Sequence, residues 1–562
     1  MTAKEAGFTQ KGRAGRVSEL VHPSDPGTKV GAGPVNWGIG AAEKTYAVNG
    51  FSPSTKDDQL SWTPGRVTKN LFNQYEANEF TSFCYYSDWG IGDPRYGNGP
   101  GESDPSYAIG GRGTDIMRLE GKTGTFDKIV LGFAAIVGDL GVNKNVIARA
   151  AHYWDNEPVP GVPPTSAQLE AAEKLWMSKA LLTDPWGDVA AYINCGFGSY
   201  VGEKYNELFD PAKAQGTLGA LGKLKAANPG MEVSLSLGGW SMSHGFYAVV
   251  RDSAKRAILV DSIAVIFRKF PMFTGIDIDW EYPSVPGSQP ADWETWEPNK
   301  YDDDDPAYFA VLIREVKAKL PNVKISIASI AAPSKLAKSN IPLLIEAGLD
   351  GINLMCYDFF GTPWAEKLQH HCNLYRSDPT DITENSVDSA VQYLLGLGVD
   401  SRKILLGYAG YSRNAQQAKL TSVSPLIGTY TPRPGTVTGG SFESGVTEWP
   451  DMIYNYLDLE TKQPLNGFIL YTDEVAGADF LYNPTTELFI SFDTPRTIKA
   501  KGEYVEKWNL GGLFSWMGDY DNGLLNNAAC EGVGRTLKGP AVIDMAPFYY
   551  KGATELPPSS RR

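Results

Sequence analysis

Cysteine and histidine are both scarce in this chain, with five residues of each among 562. The cysteines are odd in number and scattered, and they form no CxxC pair, which argues against a disulfide framework and against a zinc site. They are Cys84, Cys195, Cys356, Cys372 and Cys530. The histidines form no HExxH motif, and we expect the adjacent pair His370 and His371 to be structural. No metal and no cofactor is predicted.

Long apolar runs and basic stripes are also missing. No apolar stretch reaches the roughly 20 residues that a membrane-spanning helix needs, so no membrane span is predicted. The net charge is −14, and no dense Lys/Arg stripe occurs, which argues against nucleic acid as a partner. The first residues are polar and lack the apolar stretch of a Sec signal. We therefore expect release outside the cell by a non-Sec route or within an assembly, or else a cytoplasmic location.

Aromatic residues, in contrast, are abundant. They make up 12% of the chain, with 14 Trp and 28 Tyr. Such an excess is typical of carbohydrate-binding proteins, because sugar rings stack on aromatic faces. Packing in a large core explains any single Trp equally well. The length and the 42% hydrophobic content indicate a globular chain with more than one folding unit.

Short apolar runs rich in β-branched residues alternate with helical patterns along most of the chain. Eight such strands alternating with helices predict the α/β class and a (β/α)8 TIM barrel. A doubly wound open sheet is the competing fold, but the count of eight and the lack of a Gly-rich phosphate loop weigh against it. The predicted strands are Ser82–Tyr86, Lys128–Ala135, Glu232–Leu237, Thr274–Asp279, Val323–Ile330, Gly351–Tyr357, Lys403–Ala409 and Gly511–Trp516.

Four segments stand apart from this alternation. Residues 1–78 are Gly/Pro/Ser-rich and predict an N-terminal extension, followed by a barrel over 79–537. Between strands seven and eight, residues 412–496 are too long for one helix and predict an α+β insertion subdomain. A second insertion, between strands two and three, is expected to carry helices over Thr165–Ala180 and Pro211–Ala227. Residues 538–562 predict a C-terminal tail, either a packed strap or a loose end.

The fourth strand has the most informative pattern in the chain. Side chains alternate between the two faces of a strand, so three acids face one side and three apolar residues face the other. These are Asp277, Asp279 and Glu281 on one face and Ile276, Ile278 and Trp280 on the other. Aligning three carboxylates in a buried strand is costly, and their proximity separates their proton affinities, as acid–base chemistry requires.

The position of this strand suggests a task for each acid. A TIM barrel has its active site at the carboxyl ends of its strands. Glu281 lies at or just past that end and is predicted to be the general acid. Asp279 lies one pleat deeper, and Asp277 holds a charge or a shared proton beneath it. Because these carboxyls lie on one strand face, they are too close together to straddle a bond that is being cleaved, and the usual pair of an acid and an opposing nucleophile is not obvious here.

These residues belong to a set of ordered motifs. The segment TGIDIDWEYP resembles the DGxDxDxE signature of glycoside hydrolase family 18, the chitinases and their relatives. Ser236–Gly239 is similar to the SxGG of the family, Met355–Asp358 to its MxYD, and Tyr411–Arg413 to its YGR. Trp516 closes strand eight, where the family has the Trp that floors the central subsite. The resemblance covers roughly residues 79–535. It departs from the family at Thr274, where an Asp is usual; we expect reduced tuning of the acids or altered anchoring of the strand there, and no loss of activity.

The resemblance implies hydrolysis of β-1,4-linked N-acetylglucosamine with retention, in which the acetamido oxygen of the substrate replaces the missing nucleophile. Glu281 would protonate the leaving oxygen and then activate water. Asp279 would bind the acetamido N–H, Asp277 would support it, and Tyr357 would bind the same group from the opposite wall. The expected substrate-binding residues are Trp516, Asp358, Met355, Tyr411, Arg413, Tyr85, Phe133, Trp240 and Trp364, with Trp89 as a further stacking candidate.

Three other functions stay open at this stage. A chitin-binding lectin on the same barrel is one, although lectins of the family typically lose the acid at the position of Glu281. A subunit of a bacterial insecticidal toxin complex is the second: the expected lack of a secretion signal, together with an N-terminal extension, resembles the chitinase components of such complexes, and this role could coexist with catalysis. An endo-β-N-acetylglucosaminidase is the third. The insertion between strands seven and eight favours a deep cleft and, with it, chitin or chito-oligosaccharides as the binding partner.

Overall fold

A computed structural model of the chain describes residues 70–87 and 116–557, except 123, 157, 159–161, 193, 200, 291–293, 363, 433–437, 441–444, 460–461 and 466. Within these ranges, eight parallel strands form a closed barrel and are numbered β1 to β8 here in chain order. They are Thr81–Ser87, Lys128–Ile136, Glu232–Gly238, Phe273–Asp279, Lys324–Ile330, Gly351–Met355, Ile404–Ala409 and Gly512–Trp516. The predicted TIM barrel is confirmed, and each strand end lies within two residues of its predicted position.

Parallel pairing runs around the whole barrel. β1 pairs with β2 and also with β8, where Thr81 is opposite Gly512, and this second pairing closes the ring. β4 is held between β3 and β5, with Asp277 level with Ser236 and with Ser326. Both faces of these strands are buried, which explains why they read as nearly continuous apolar runs.

Helices return the chain between the strands, as parallel pairing requires. Several begin with side-chain caps: Asp252 accepts hydrogen bonds from the first turn of its helix, and Ser386 and Thr494 form capping boxes. The α-helices around the barrel are Gly216–Ala227, His244–Val250, Ser253–Lys269, Asp305–Lys319, Pro333–Ser339, Ile341–Glu346, Val387–Gly396, Pro495–Trp508 and Leu524–Gly532.

The insertion between β2 and β3 contains helices and one additional strand. Ala180–Leu182 pairs antiparallel with β2, so the predicted helix over Thr165–Ala180 is too long. This helix spans Ser166–Trp176, and the chain then turns at Ser178, whose φ of 64° is left-handed. The helix predicted from Pro211 begins at Gly216. The other helices of this insertion are Lys144–Asp155, Pro185–Val189 and Tyr205–Leu208.

The insertion between β7 and β8 contains a four-stranded antiparallel sheet. Its strands, in spatial order, are Ile469–Asp473, Ala478–Asn483, Leu488–Phe492 and Ser412–Ala415. It has an apolar cluster of its own around Phe480 and Phe489. The α+β insertion is confirmed as part of the fold, whereas the exact domain limits stay predictions. Two hairpins complete it, Lys419–Val423 with Leu426–Thr429 and Leu457–Asp458 with Gln463–Pro464, together with helical turns over Trp449–Asp451 and Met452–Tyr456.

The described part of the C-terminal tail is packed as a strap. The backbone N–H groups of Val542 and Ile543 donate to Asn73 Oδ1 at 2.7 and 3.1 Å. Further on, Ala553 forms a parallel bridge with Tyr471 of the insertion sheet. Most of the predicted N-terminal extension, residues 1–69, lies outside the described residues, as do residues 558–562.

All five cysteines are buried and form no disulfide. Among the described helices, none is both long enough and apolar enough to cross a membrane.

Candidate active site

β4 brings the three acids of the sequence pattern together at the carboxyl end of the barrel. Asp277 and Asp279 are on the strand, and Glu281 lies two residues past its end. Their exposed fractions are 0%, 3% and 8%, so all three are buried. The apolar residues of the opposite phase face the helices: Trp280, for example, stacks on Phe246 with 5.5 Å between ring centroids.

Asp277 is surrounded by hydrogen-bond donors from four other strands of the barrel. The donors are the hydroxyls of Tyr85, Ser236 and Ser326 and the amide of Asn353, at 2.8–2.9 Å. Four donors directed at two oxygens match the acceptor capacity of a carboxylate. Asp277 is therefore held in one position by these four hydrogen bonds, and it lies beneath the other two acids.

Asp279 has one unused acceptor. Burial raises the pKa of its carboxyl well above the ordinary range, and the charges of Glu281 and Asp277 raise it further. Its Oδ1 is buried and has no hydrogen-bond partner among the described residues. Because an unpaired buried polar atom is costly, this oxygen marks a position where a donor from a ligand would be stabilised.

Glu281 is held by its main chain and by two donors to its carboxyl. Its N–H donates to Ser243 Oγ at 2.9 Å, and its carbonyl accepts from Asn299 Nδ2 at 3.0 Å. The Tyr282 hydroxyl and the Trp240 backbone N–H donate to the carboxylate. Burial raises the pKa of Glu281 to about 7; the two donors oppose this shift and the charge of Asp358 adds to it.

The wall opposite Glu281 is formed by residues that follow β6 and β7. The Asp358 carboxylate accepts from Arg413 Nε at 2.7 Å and from the hydroxyl of Tyr411. Burial alone would raise the pKa of Asp358, but Arg413, with smaller contributions from His371 and Tyr411, outweighs it and the net pKa is lowered. Burial and the charges of Asp279 and Asp358 raise the pKa of Tyr357 well above its usual value, so its hydroxyl stays a donor.

Aromatic rings form the floor of the site. Trp516, at the end of β8, lies 5.6 Å from Tyr85 and 5.7 Å from Phe133, centroid to centroid. The Phe133 and Trp516 planes differ by 26°, so the two rings stack and the buried Phe133 supports Trp516. Met355 is partly buried and packs against the core beside them.

Two further predicted residues lie at the rim. Trp240 is 49% exposed, and its ring meets that of Tyr282 edge-on at 6.3 Å. Trp364 is 54% exposed and lies under the Arg413 guanidinium, 4.9 Å from it. Both rings present open faces on which a sugar could stack. Trp89 lies outside the described residues.

Several residues of the site were missed from the sequence. Ser326 and Asn353 are polar and point inward from apolar strand runs, a signal the same alternation rule could have revealed. Tyr282 and Ser243 lie in loops and carried no such signal, whereas His371 was predicted only to be structural. No group of three or more His, Cys, Asp or Glu side chains in the described ranges is placed to hold a metal ion.

The comparison with known families agrees with this geometry. The family model of glycosyl hydrolases family 18 matches residues 81–521, which is most of the chain and includes the whole acid strand. The chain belongs to glycosyl hydrolases family 18.

Relatives within family 18 match almost the whole chain. Chitinase 1 of Yersinia entomophaga is 42% identical over 550 residues, covering 96% of each protein. Chitinase 2 of the same organism is 35% identical over 543 residues, which cover 91% of this chain and 81% of that protein. A crystal structure of a chitinase, fitted into the three-dimensional structure of the Yersinia entomophaga toxin complex, matches with a TM-score of 0.76 and 42% identity. The match covers 91% of this chain and 96% of that one.

Proposed function

We propose that the chain is a chitinase that hydrolyses β-1,4 linkages of N-acetylglucosamine with retention, by substrate-assisted catalysis. The observation that carries this proposal is the pairing of Glu281, whose pKa is about 7, with the unused acceptor of Asp279 beside it. The names of the family 18 relatives as chitinases support the same substrate.

In the first step, Glu281 in its protonated form donates its proton to the glycosidic oxygen. The bond between that oxygen and the anomeric carbon breaks, and the acetamido oxygen of the same sugar bonds to the anomeric carbon. In the second step, water attacks the anomeric carbon and the bond to the acetamido oxygen breaks. The Glu281 carboxylate takes the proton of that water and returns to its starting state.

The other residues orient and hold the sugar. Asp279 Oδ1 accepts the acetamido N–H, and the Tyr357 hydroxyl binds the same group from the other side. Trp516 provides the apolar face for the distorted sugar, with Tyr85 and Phe133 behind it. Asp358, Arg413 and Tyr411 form a connected polar wall that contacts sugar hydroxyls, while Met355 packs beneath them.

The direct test is product analysis on chitin hexamer. Shorter oligomers with retained anomeric configuration support the proposal. Tight binding to chitin without any release of reducing ends would instead indicate a lectin. Cleavage of N-glycans without cleavage of the hexamer would indicate an endo-β-N-acetylglucosaminidase.

The pH dependence of the reaction follows from the acid. The ordinary pKa of a glutamate is 4.5, and burial of Glu281 raises it to about 7. Because the first step requires the protonated form, we expect kcat/KM to fall as the pH rises through about 7. A pH profile on a soluble chito-oligosaccharide measures this, and an alkaline limb close to 4.5 would contradict the assignment.

We also propose that the chain binds other subunits of a toxin complex. The support is the similarity, over 91% of this chain, to a chitinase structure that was fitted into such a complex. Size-exclusion chromatography of a native lysate tests this: elution in a large particle supports it, and elution as an isolated chain contradicts it. Fractionation of culture medium and cells tests the predicted release outside the cell.

A further inference from the structure

The adjacent histidines His370 and His371 connect the insertion sheet to the wall of the site. His370 Nε2 lies 2.9 Å from Asp473 Oδ2, and both side chains are fully buried. The backbone N–H of His371 donates to Ser491 Oγ at 2.9 Å. Asp473 and Ser491 are on two strands of the insertion sheet. The peptide that carries both histidines is therefore fixed from the insertion side.

On its other side, His371 contacts Asp358. The Asp358 N–H donates to His371 Nδ1 at 3.0 Å. Asp358 has a φ of 58°, a left-handed conformation that is unusual for a residue other than glycine and needs support from its surroundings. The His371 ring also lies 5.0 Å from the ring of Tyr411, which donates to the same carboxylate. Both the backbone and the carboxylate of Asp358 thus depend on contacts that His371 makes or supports.

His371 makes this contact as a neutral ring. Its Nδ1 accepts a hydrogen bond and so carries no proton. Burial lowers the pKa of His371 to about 4, an effect that Asp358 opposes and Arg413 reinforces. The other charged groups that influence the ring are Asp493 and Lys501. A neutral acceptor fixes the Asp358 backbone without adding a second cation that would compete with Arg413 for its carboxylate.

We propose that His371 is a positioning residue for the hydrolysis: by fixing Asp358, it places the Asp358 carboxylate where it pairs with Arg413 and acts on Glu281. This inference rests on the proposed function. The negative charge of Asp358 favours the protonated form of Glu281, the form that the first step uses. A displaced Asp358 therefore lowers the pKa of Glu281 and leaves less of it in the protonated form at neutral pH.

Three substitutions distinguish the effect of the hydrogen-bond acceptor of His371 from the effect of its ring packing. In H371N the amide oxygen can take the place of Nδ1, in H371Q it reaches the place of Nε2, and in H371F the ring stays but the acceptor is lost. We expect kcat on chitin hexamer to fall on the order of 10- to 100-fold in H371F and H371Q, as for a small misplacement near the reacting atoms. H371N should recover most of the lost rate. The alkaline limb of the pH profile should move to lower pH in H371F and stay in place in H371N.

The matched controls are H152N and H152F, at a buried histidine on helix Lys144–Asp155, which should keep the wild-type rate. Crystal structures of H371N and H371F give a readout independent of activity: Asp358 should keep its left-handed conformation only in H371N. Equal rates in all His371 variants, or an unchanged Asp358 in H371F, would overturn the inference. If H371F does not fold, H371N and H371Q decide the matter alone. An inactive wild type would instead overturn the proposed function.

Discussion

E281Q lowers kcat on chitin hexamer by on the order of 10²- to 10⁴-fold, the contribution typical of a positioned general acid. The amide has nearly the shape of the protonated carboxyl, and its oxygen can still accept a hydrogen bond from a neighbouring donor such as the Tyr282 hydroxyl. It has no acidic proton to give to the leaving oxygen. We therefore expect KM to change little, so that the loss falls on the chemical step. Steady-state kinetics on the hexamer, with binding measured separately, resolve the two effects.

The control for this substitution is E346Q, an exposed glutamate at the end of helix Ile341–Glu346. It makes the same chemical change far from the carboxyl ends of the strands and should keep full activity. The E281Q variant should still bind chitin and should lose the alkaline limb seen in the wild type. Activity of E281Q within a few-fold of the wild type would show that another group protonates the leaving oxygen.

Sequence alternation predicted the triad because its geometry is local. A strand has a period of two, and the three acids lie at every second position, so their common face follows from the backbone alone. Their surroundings do not follow in this way. Three of the four donors to Asp277 come from Tyr85, Ser236 and Asn353, which are 192, 41 and 76 residues away along the chain. Which of them meet depends on the register of the closed barrel.

In the fold as well, elements set by neighbouring residues were predictable, and pairings between residues far apart in the chain were not. The barrel strands were predicted closely because each is a compact apolar run between turn signals. The order of strands in the insertion sheet was not predictable, because Ser412–Ala415 pairs with Leu488–Phe492, on the far side of the insertion in sequence. The error at the end of the predicted helix Thr165–Ala180 has a different cause. The helix ends at Trp176, the chain turns at Met177 and the left-handed Ser178, and the next apolar residues join β2 as a strand.

The pairing of Ser412–Ala415 with Leu488–Phe492 also connects the insertion to the active site. Arg413 lies on a strand of the insertion sheet, and Tyr411 comes just before that strand. Both side chains hold Asp358 from this position. The insertion therefore supplies part of the polar wall itself, in addition to its effect on the depth of the cleft. We therefore expect removal of the insertion to disrupt the polar wall of the site as well as to make the cleft shallower.

D279N is the second substitution with a large expected effect. We expect kcat on chitin hexamer to fall on the order of 10²- to 10³-fold, the range seen when one preorganised polar group is removed from a developing charge. The reason lies in the unpaired Oδ1 of Asp279, which would bind the acetamido N–H while positive charge develops on that group. An asparagine can offer an acceptor at the same place, but it has no carboxyl proton to release and so cannot gain the negative charge that would compensate the developing positive charge. Comparing kcat for the variant and the wild type measures the difference.

D303N is the matched control, because Asp303 is an exposed aspartate whose carboxylate pairs with Lys338 on the protein surface. It should leave kcat unchanged. A partly deacetylated oligomer tests the role of the acetamido group more directly. The wild type should cleave only next to N-acetylated sugars, because glucosamine has no acetamido oxygen to attack the anomeric carbon. Cleavage next to glucosamine by the wild type, or a D279N rate close to that of the wild type, would mean that the nucleophile is not the acetamido oxygen held by Asp279.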